Sequence, residues 1–583
     1  MRSPDKRVRR QLLEALLFER IVPSDEQILE NGSIRVSLDL DGLTLVCLVR
    51  VTAFGRIRLQ DEQVHFLNQQ GHTRLADWRS IVNALPVETT AKARLQAELG
   101  QTVRLCTWNN ASLDGNSARR HLNQDALESA IHEGHLYHPS FKARLGFTLG
   151  DHVRFGPESA KGFALEWLAV RRTQLHHRLP EPAEAFAERE LGREAWDHLG
   201  TALFMQQASW DDYMPVPIHP WQWQHLSQAL QPALTRGDII HLGLAGDEYC
   251  ATQSLRTLQN RAWPSKANLK LPLNVVNTSS VRSLDSHSVC TAPVVSQWLR
   301  DVVATNAFLS ERGLVILQEY AGLLYCPADA CEAEALDGQL GAIWRESLHP
   351  YLQPDESAVP MTALMLTEAD GKPFVHHWIV QHGLAAWLAR LIEVAVLPVW
   401  HLFVEEGIAV EAHAQNSILI HRDGWPERLA LRDFHDSVEY VEGFLKRPEL
   451  KPDFAKLNAA YAQAPEDRYY WMSSIEALRE LVMDTLFVFN LADLSWLLET
   501  HYDMPESLFW QHVRRHLLQH VQTRNTTAER WTAVDVDAGF VPAESLLAQK
   551  LGMAQQRHLI PNTLSPLQHK RSYAHVPCER HVL

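Results

Sequence analysis

Between Ser254 and Arg282 the chain carries five cations, Arg256, Arg261, Lys266, Lys270 and Arg282, and no Asp or Glu. The chain as a whole leans the other way, with 55 Lys and Arg against 70 Asp and Glu, a formal −15 over 583 residues. Such a stretch cannot be packed into an apolar core, because each unpaired buried charge is costly. It must either lie solvated around a strand or line a pocket that takes anions. Two Ser/Thr–Arg groups stand in it, Ser254-Leu255-Arg256-Thr257 and Thr278-Ser279-Ser280-Val281-Arg282. Between them Lys270–Val275 alternates and predicts a strand that starts at Lys270. Two separate groups suit two anions, such as a polyphosphate and a carboxylate.

The acidic balance excludes a general nucleic-acid binder, which needs a dense basic surface. Seven scattered Cys and no CxxC pair argue against a disulfide framework and favour a reducing compartment. Gln11–Phe18 is short and contains Glu14, unlike a secretory leader. Leu391–Val404 is interrupted by Glu393 and His401 and falls short of the ~20 residues of a spanning helix. The expectation is a cytoplasmic protein with neither membrane nor nucleic-acid partners. There is no GxxxxGK[ST], GxGxxG, HExxH or GxSxG, so nucleotide chemistry needs another frame.

The patterning is mixed, and the expected fold class is α+β. Ile34–Leu40, the turn Asp41-Gly42 and Leu43–Val51 predict a hairpin. Helices are expected at Arg7–Arg20, around Ala91–Leu99, at Asn116–Glu133, at Leu165–His176 and at Ile475–Leu498. Leu384–Val404 reads as a long buried helix kinked or broken at Pro398. Ser417–Ile420 and Arg428–Arg432 read as strands around Asp423-Gly424. The tail Leu559–Leu583 is expected to be loosely held.

Three further segments bear on chemistry. His135–Phe147 sets His138, Lys142 and Arg144 close together, as a phosphate grip or a solvated basic turn. Pro217–Gln224, with His219, two Pro and two Trp, reads as a rigid packing corner. Glu411, His413, Gln415 and Asn416 precede a predicted hairpin, and Asp433 follows it. Glu, Asn and Asp oxygens suit Mg²⁺. An Asn before a hairpin and an Asp-Phe after it parallel the metal ligands of protein kinases, yet no kinase-type Asp base precedes Asn416. The alternative is an acidic loop with a core His. Together the residues describe a pocket for ATP and an anionic, carboxylate-bearing co-substrate.

In this order the segments resemble the IucA/IucC-like siderophore synthetases, which act independently of non-ribosomal peptide synthetases. The resemblance runs from about residue 130 to 500 and also takes in His219-Pro220-Trp221-Gln222, Lys270-Leu271-Pro272-Leu273, Gly341–Glu346 and Arg432-Asp433-Phe434-His435. It implies ATP-dependent adenylation of citrate, a citryl monoamide or 2-oxoglutarate. Condensation with an amine or alcohol, such as a diamine or amino acid, follows and releases AMP and pyrophosphate. It also implies Mg²⁺, a homodimer and a cupped hand with a distantly kinase-like palm: thumb 1–125, fingers 126–350, palm 351–583. His138, Lys142, Ser254, Arg256, Thr257 and Lys270 match the triphosphate grip, with Gln415 and Asn416 near the nucleotide. Glu411, Asp433 and Asn416 match the metal site. Thr278, Arg282 and His413 match the carboxylate contacts, and His413, Arg282 and Lys270 are the expected catalytic groups. Ala414 and Asp436 stand where Gly is common. A kinase-like phosphotransferase is the competing reading from another class.

Overall fold

Alternation in Ile34–Leu40 buries Ile34, Val36, Leu38 and Leu40 and leaves Arg35 and Asp39 outside. The predicted hairpin forms in the register Ile34↔Val49 to Leu40↔Leu43. It is the centre of a six-stranded antiparallel sheet, flanked by the helices Pro4–Phe18 and Thr89–Ser112. The computed structural model describes residues 3–30, 32–40, 42–60, 64–68, 71–113, 119–278, 280–524, 526–553 and 558–566. Asp41 of the expected turn, Ser279 and residues 567–583 of the tail lie outside them.

A second sheet has eight antiparallel strands. In spatial order they are Leu175–Arg178, Glu319–Tyr325, Gly341–Arg345, Asn268–Lys270, Thr257–Asn260, Ile239–Ala251, Phe163–Arg171 and Tyr213–Ile218. The helix expected at Leu165–His176 is instead most of the strand Phe163–Arg171, a short turn at Arg172–Gln174 and the start of the strand Leu175–Arg178. Leu165, Leu168 and Val170 enter one apolar cluster while Trp167 and Ala169 enter another. A strand buried on both faces loses its alternation and reads like a core helix. The strand expected at Lys270–Val275 is two: Asn268–Lys270 ends at Lys270, and Leu273–Asn277 starts a separate hairpin with Ser280–Arg282. Pro272, which has no N–H to donate, marks the break. The helix expected from residue 116 is confined to Gln124–Ala130, capped by Asn123 Oδ1 accepting from Ala126 N at 2.9 Å. Residues 114–118 lie outside the described residues.

A third sheet orders Val315–Ile316, Trp425–Leu431, Ser417–Arg422 and Ser357–Pro360, with its first pair parallel. Behind it run the helices Leu384–Glu406 and Ile475–Tyr502. The first exceeds the apolar stretch read from sequence and does not break at Pro398. A π segment at Ile392–Val396 precedes the proline, and widening of the turn accommodates the missing N–H. By length and composition both helices are apolar enough to cross a bilayer. However, 83% and 78% of their apolar windows are buried inside the protein, which makes them core helices here. One continuous apolar cluster joins Val8, Leu12 and Leu16 of the first helix to Trp387, Trp400 and Phe487, and on to Val541, Leu547 and Ile560.

Within that core His401 Nδ1 and His520 Nε2 lie 3.0 Å apart, and Asn306 Nδ2 donates to His401 Nε2 at 2.8 Å. Burial, with Arg524 adding to it, pushes His401 down to about 3 and His520 to about 4. The fold therefore holds both neutral, whereas an unfolded imidazole titrates near 6.5. Their contribution to stability is complete above pH ~6.5 and is lost as pH falls towards 4. His520→Gln should flatten this acid limb in melting curves taken between pH 7 and 4; an unchanged limb would assign acid sensitivity elsewhere.

Candidate active site

Antiparallel pairing of Thr257–Asn260 with Asn268–Lys270 sets Thr257 opposite Lys270 on one face of the eight-stranded sheet. Ahead of Thr257 the chain turns at Leu255 (φ 67°), where Ser254 Oγ accepts from Thr257 N at 3.2 Å. The Thr257 hydroxyl is buried without a partner. Arg256 donates to the Ser283 carbonyl, which ties this turn to the second Ser/Thr–Arg group.

Lys270 points across to the third sheet. Its Nζ lies 2.7 Å from Asp433 Oδ1, 3.2 Å from His435 Nδ1 and 3.4 Å from Glu319 Oε1. Arg345 Nη1 approaches the same Asp433 oxygen at 2.8 Å. Burial opposes ionisation of Asp433, but Lys270, Arg345 and Arg432 outweigh it and hold the carboxyl well below the usual range. Glu319 behaves alike: burial is overcome by His435 and Lys270, and the carboxyl stays ionised. Two carboxylates and two permanent cations therefore form one buried network across the sheet interface. Asp433 itself has φ 65°, which aims it out of the line of the preceding strand.

On the other side of the 417–431 hairpin, Asn416 Nδ2 lies 3.4 Å from Glu411 Oε2, which also accepts from Ser437 Oγ at 2.6 Å. Arg432 N donates to Asn416 O at 3.1 Å, so the loops bearing Asn416 and Asp433 are stitched together. His413 Nδ1 accepts from the Gln415 and Asn416 amides, which leaves Nε2 facing Glu411 Oε1 at 3.7 Å. Gln415 is fixed through its carbonyl by Arg432 Nε at 2.9 Å.

The hairpin Leu273–Asn277/Ser280–Arg282 turns at Thr278 (φ 60°), whose carbonyl accepts from Lys550. Arg282 donates to Asn277 O at 2.9 Å and keeps its Nε buried and unpartnered. Burial and Arg256 push it down to about 10, with Glu411 pulling the other way. Arg282 thus lies within electrostatic reach of both Arg256 and Glu411. The structure therefore brings Arg256, Thr257, Lys270 and Asp433 together, and links them through Arg282 to Glu411, His413 and Asn416.

The 138–144 segment differs from expectation. Lys142 is buried against Glu158, and Arg144 clamps the same carboxylate at 2.7 and 2.9 Å. These cations hold Glu158 well below the usual range despite its burial. Lys142 is therefore a strut inside the protein, not a cation on the open face. His138 is buried too, with Nδ1 accepting from Ser140 N at 3.1 Å and Nε2 unpartnered. Burial keeps it neutral, so it offers a hydrogen bond and no charge. Residue-level reading missed Glu158 and Glu319, and it gave no role to Arg345. Glu319 opens an otherwise apolar strand, Glu319–Tyr325, and that lone carboxylate was the available signal.

A cavity of about 720 Å³ lies near one end of the eight-stranded sheet, lined by Cys250, Gln259, Asp125, Glu133, Glu158 and Glu368 among others. Its carboxylates are matched internally: Glu133 and Glu368 by Arg119, Asp125 by His349 and Glu158 by Lys142 and Arg144.

Residues 123–366, which include Arg256, Lys270 and Arg282, match the model of the IucA / IucC family. The chain is 34% identical over 579 residues to the citryl-spermidine/3,4-dihydroxybenzoyl-citryl-spermidine:spermidine ligase of Bacillus anthracis, covering 96% of this chain and 93% of that one. The chain belongs to the IucA/IucC family. Residues 385–561 also match the model described as ferric iron reductase FhuF-like transporter. Among solved structures, petrobactin biosynthesis protein AsbB of Bacillus anthracis superimposes with a TM-score of 0.90 at 32% identity, over 97% of this chain and 96% of that one. Aerobactin synthetase IucC from a hypervirulent pathotype of Klebsiella pneumoniae gives 0.81 at 25% identity, over 96% and 98%. The mixed α/β architecture is that of these family members.

Proposed function

We propose that the protein is an ATP-dependent ligase of siderophore assembly, which adenylates a carboxylate of citrate or a citrate derivative and condenses it with an amine or alcohol. The observation that carries this reading is the pairing of two anion-reading groups. One is the Thr257–Lys270–Asp433 face, with an unpartnered hydroxyl; the other is Arg282, with an unpartnered Nε, beside the Glu411–His413 loop.

In the first step a carboxylate oxygen attacks the α-phosphorus of ATP, the Pα–O bond to pyrophosphate breaks, and pyrophosphate leaves. No general base is required, because the acid is already ionised at neutral pH. The difficulty is charge repulsion, and Arg256, Lys270 and Arg345 are placed to neutralise it. Arg282, Thr278 and His413 orient the acid. The donor set of Glu411, Asn416 and Asp433 fits Mg²⁺, which commonly takes only one or two protein carboxylates and shares the nucleotide phosphates. Bound there, the ion would add further neutralisation of phosphate charge. In the second step a neutral amine attacks the acyl carbon and AMP departs.

The order Asn416, hairpin, Asp433, together with the Lys270–Asp433 contact, supports a palm distantly like that of kinases within a cupped hand. Its thumb is residues 1–125, its fingers 126–350 and its palm 351–583. The six described cysteines are unpaired, in keeping with a cytoplasmic location. A homodimer is proposed on the same family grounds. The Bacillus anthracis relative's name includes citryl-spermidine, which favours a citryl monoamide as the second candidate acid. The phosphotransferase reading finds no support at Glu411, which is held by Ser437 and Asn416 and is not presented as a base.

ATP and citrate, with hydroxylamine as nucleophile, should yield citryl-hydroxamate, AMP and pyrophosphate. Release of ADP, or no pyrophosphate with any of citrate, a citryl monoamide or 2-oxoglutarate, rejects the ligase reading. Arg282→Ala should cost at least about a hundredfold in acid-dependent pyrophosphate release while ATP binding changes less than about threefold. Equal loss of both would show that the two anion groups are not separate.

A further inference from the structure

The hairpin Leu273–Asn277/Ser280–Arg282 bears Thr278 and Arg282, the proposed contacts to the acid, and only its first strand is packed into the protein. Leu273 and Val275 are buried there. Leu145 N donates to Val276 O at 2.9 Å, and Val276 N donates back to Leu145 O at 3.0 Å. Asn274 N donates to Gln222 Oε1 at 2.9 Å. The returning strand lies on the outside, with Ser280 exposed and Val281 50% exposed. Apolar packing therefore does little to fix where Arg282, at the end of that strand, stands.

The turn between the strands is strained. Thr278 is β-branched and holds φ 60°, a region that such residues avoid. A conformation of this kind persists only where the surroundings hold it. Lys550 supplies the hold. Its Nζ donates to the Thr278 carbonyl and lies 2.5 Å from Glu98 Oε2. Both side chains of the ion pair are buried, with Lys550 4% and Glu98 1% exposed. A lysine is almost never placed so deeply without a partner, and Glu98 is that partner.

Three distant parts of the chain meet at this lysine. Glu98 comes from the helix Thr89–Ser112, and Lys550 ends the short helix Leu546–Lys550. Arg94, four residues before Glu98 and so on the same face of its helix, donates to the Lys550 carbonyl. At the start of the short helix Glu19 accepts from Leu547 N at 3.0 Å and from Ala548 N at 2.8 Å. The short helix is thus held at both ends, and its last side chain is a fixed stop against the Thr278 turn. Because Glu98 answers the charge of Lys550, the lysine acts on the acid through the hairpin.

We propose that Lys550 is a positioning residue of the acid site: backed by Glu98 and Arg94, it holds the Thr278 turn, and through that turn it sets Arg282. This rests on the ligase reading and adds to it a residue that neither anion group includes.

Amide hydrogen exchange of the full-length protein reads the clamp apart from turnover. In Lys550→Met the amides of Val276–Arg282 should exchange about tenfold faster, while those of Thr257–Asn260 stay unchanged. In acid-driven exchange of pyrophosphate into ATP, the same variant should raise KM for citrate about tenfold and KM for ATP less than about twofold. Arg94→Ala, at an exposed side chain, should move both readouts in the same direction by a smaller factor and guards against a folding defect in the first variant. An unchanged KM for the acid in both variants, a parallel rise for acid and ATP, or a raised KM without faster exchange in the hairpin overturns the proposal. Failure of hydroxamate formation with every acid rejects the ligase reading instead, and hydrogen exchange still decides whether Lys550 holds the hairpin.

Discussion

Asp433→Asn should abolish acid-dependent pyrophosphate release, by about a thousandfold or more, while leaving a folded protein. The side chain keeps its shape and one carbonyl oxygen but loses its charge. Lys270 and Arg345, 2.7 and 2.8 Å away, would both lose that counter-charge; among the described residues Lys270 would keep Glu319, 3.4 Å away. A single preorganised electrostatic group is commonly worth 10²–10³ in rate. Asp433 both orients two cations and is a proposed Mg²⁺ ligand, so the upper end applies. Exchange of labelled pyrophosphate into ATP, driven by added acid, reads this step without the amine. Activity within tenfold of wild type would remove Asp433 from the centre of the site.

Glu158→Ala should be the most destabilising single substitution of those considered. Its side chain is fully buried between Lys142 and Arg144, and removal leaves two uncompensated cations in the interior. Breaking a buried ion pair by deleting one partner costs about 3–5 kcal/mol. The variant is expected to lose several degrees of melting temperature or to fail to accumulate. Lys142→Met distinguishes a strut from a phosphate ligand: it should lower the melting temperature modestly and change KM for ATP less than about twofold. A tenfold rise in KM with unchanged melting would restore Lys142 to the nucleotide site.

The legible part of the site was the part written in consecutive residues. Ser254-Leu255-Arg256-Thr257 and Glu411–Asn416 are local constellations, and the structure keeps them local. What was not legible was how charges pair across long separations. Lys142 reads as a free cation until Glu158 is seen beneath it, and Glu319 has no meaning before Lys270 and His435 arrive from elsewhere in the chain. The fold shows the same division. The Ile34–Val51 hairpin follows from alternation and a two-residue turn. Phe163–Arg171 was misread because a strand covered on both faces has no polar side to betray its period. The long buried helix expected from Leu384 is present, but it does not break at Pro398, because neighbouring packing and a widened turn override a local breaker.

The core that runs from Val8 to Ile560 has a consequence for how the protein is made. Glu19, at the end of the first helix, accepts from the Leu547 and Ala548 amides, and Phe18 packs on His558. Those partners leave the ribosome more than 500 residues later, which at about 5–20 residues per second is on the order of 25 to 105 s. During that interval the nascent amino-terminal segment exposes an apolar face whose cover has not yet been synthesised. Yield in a cell should therefore depend on chaperone capacity and translation speed more than the stability of the finished enzyme suggests.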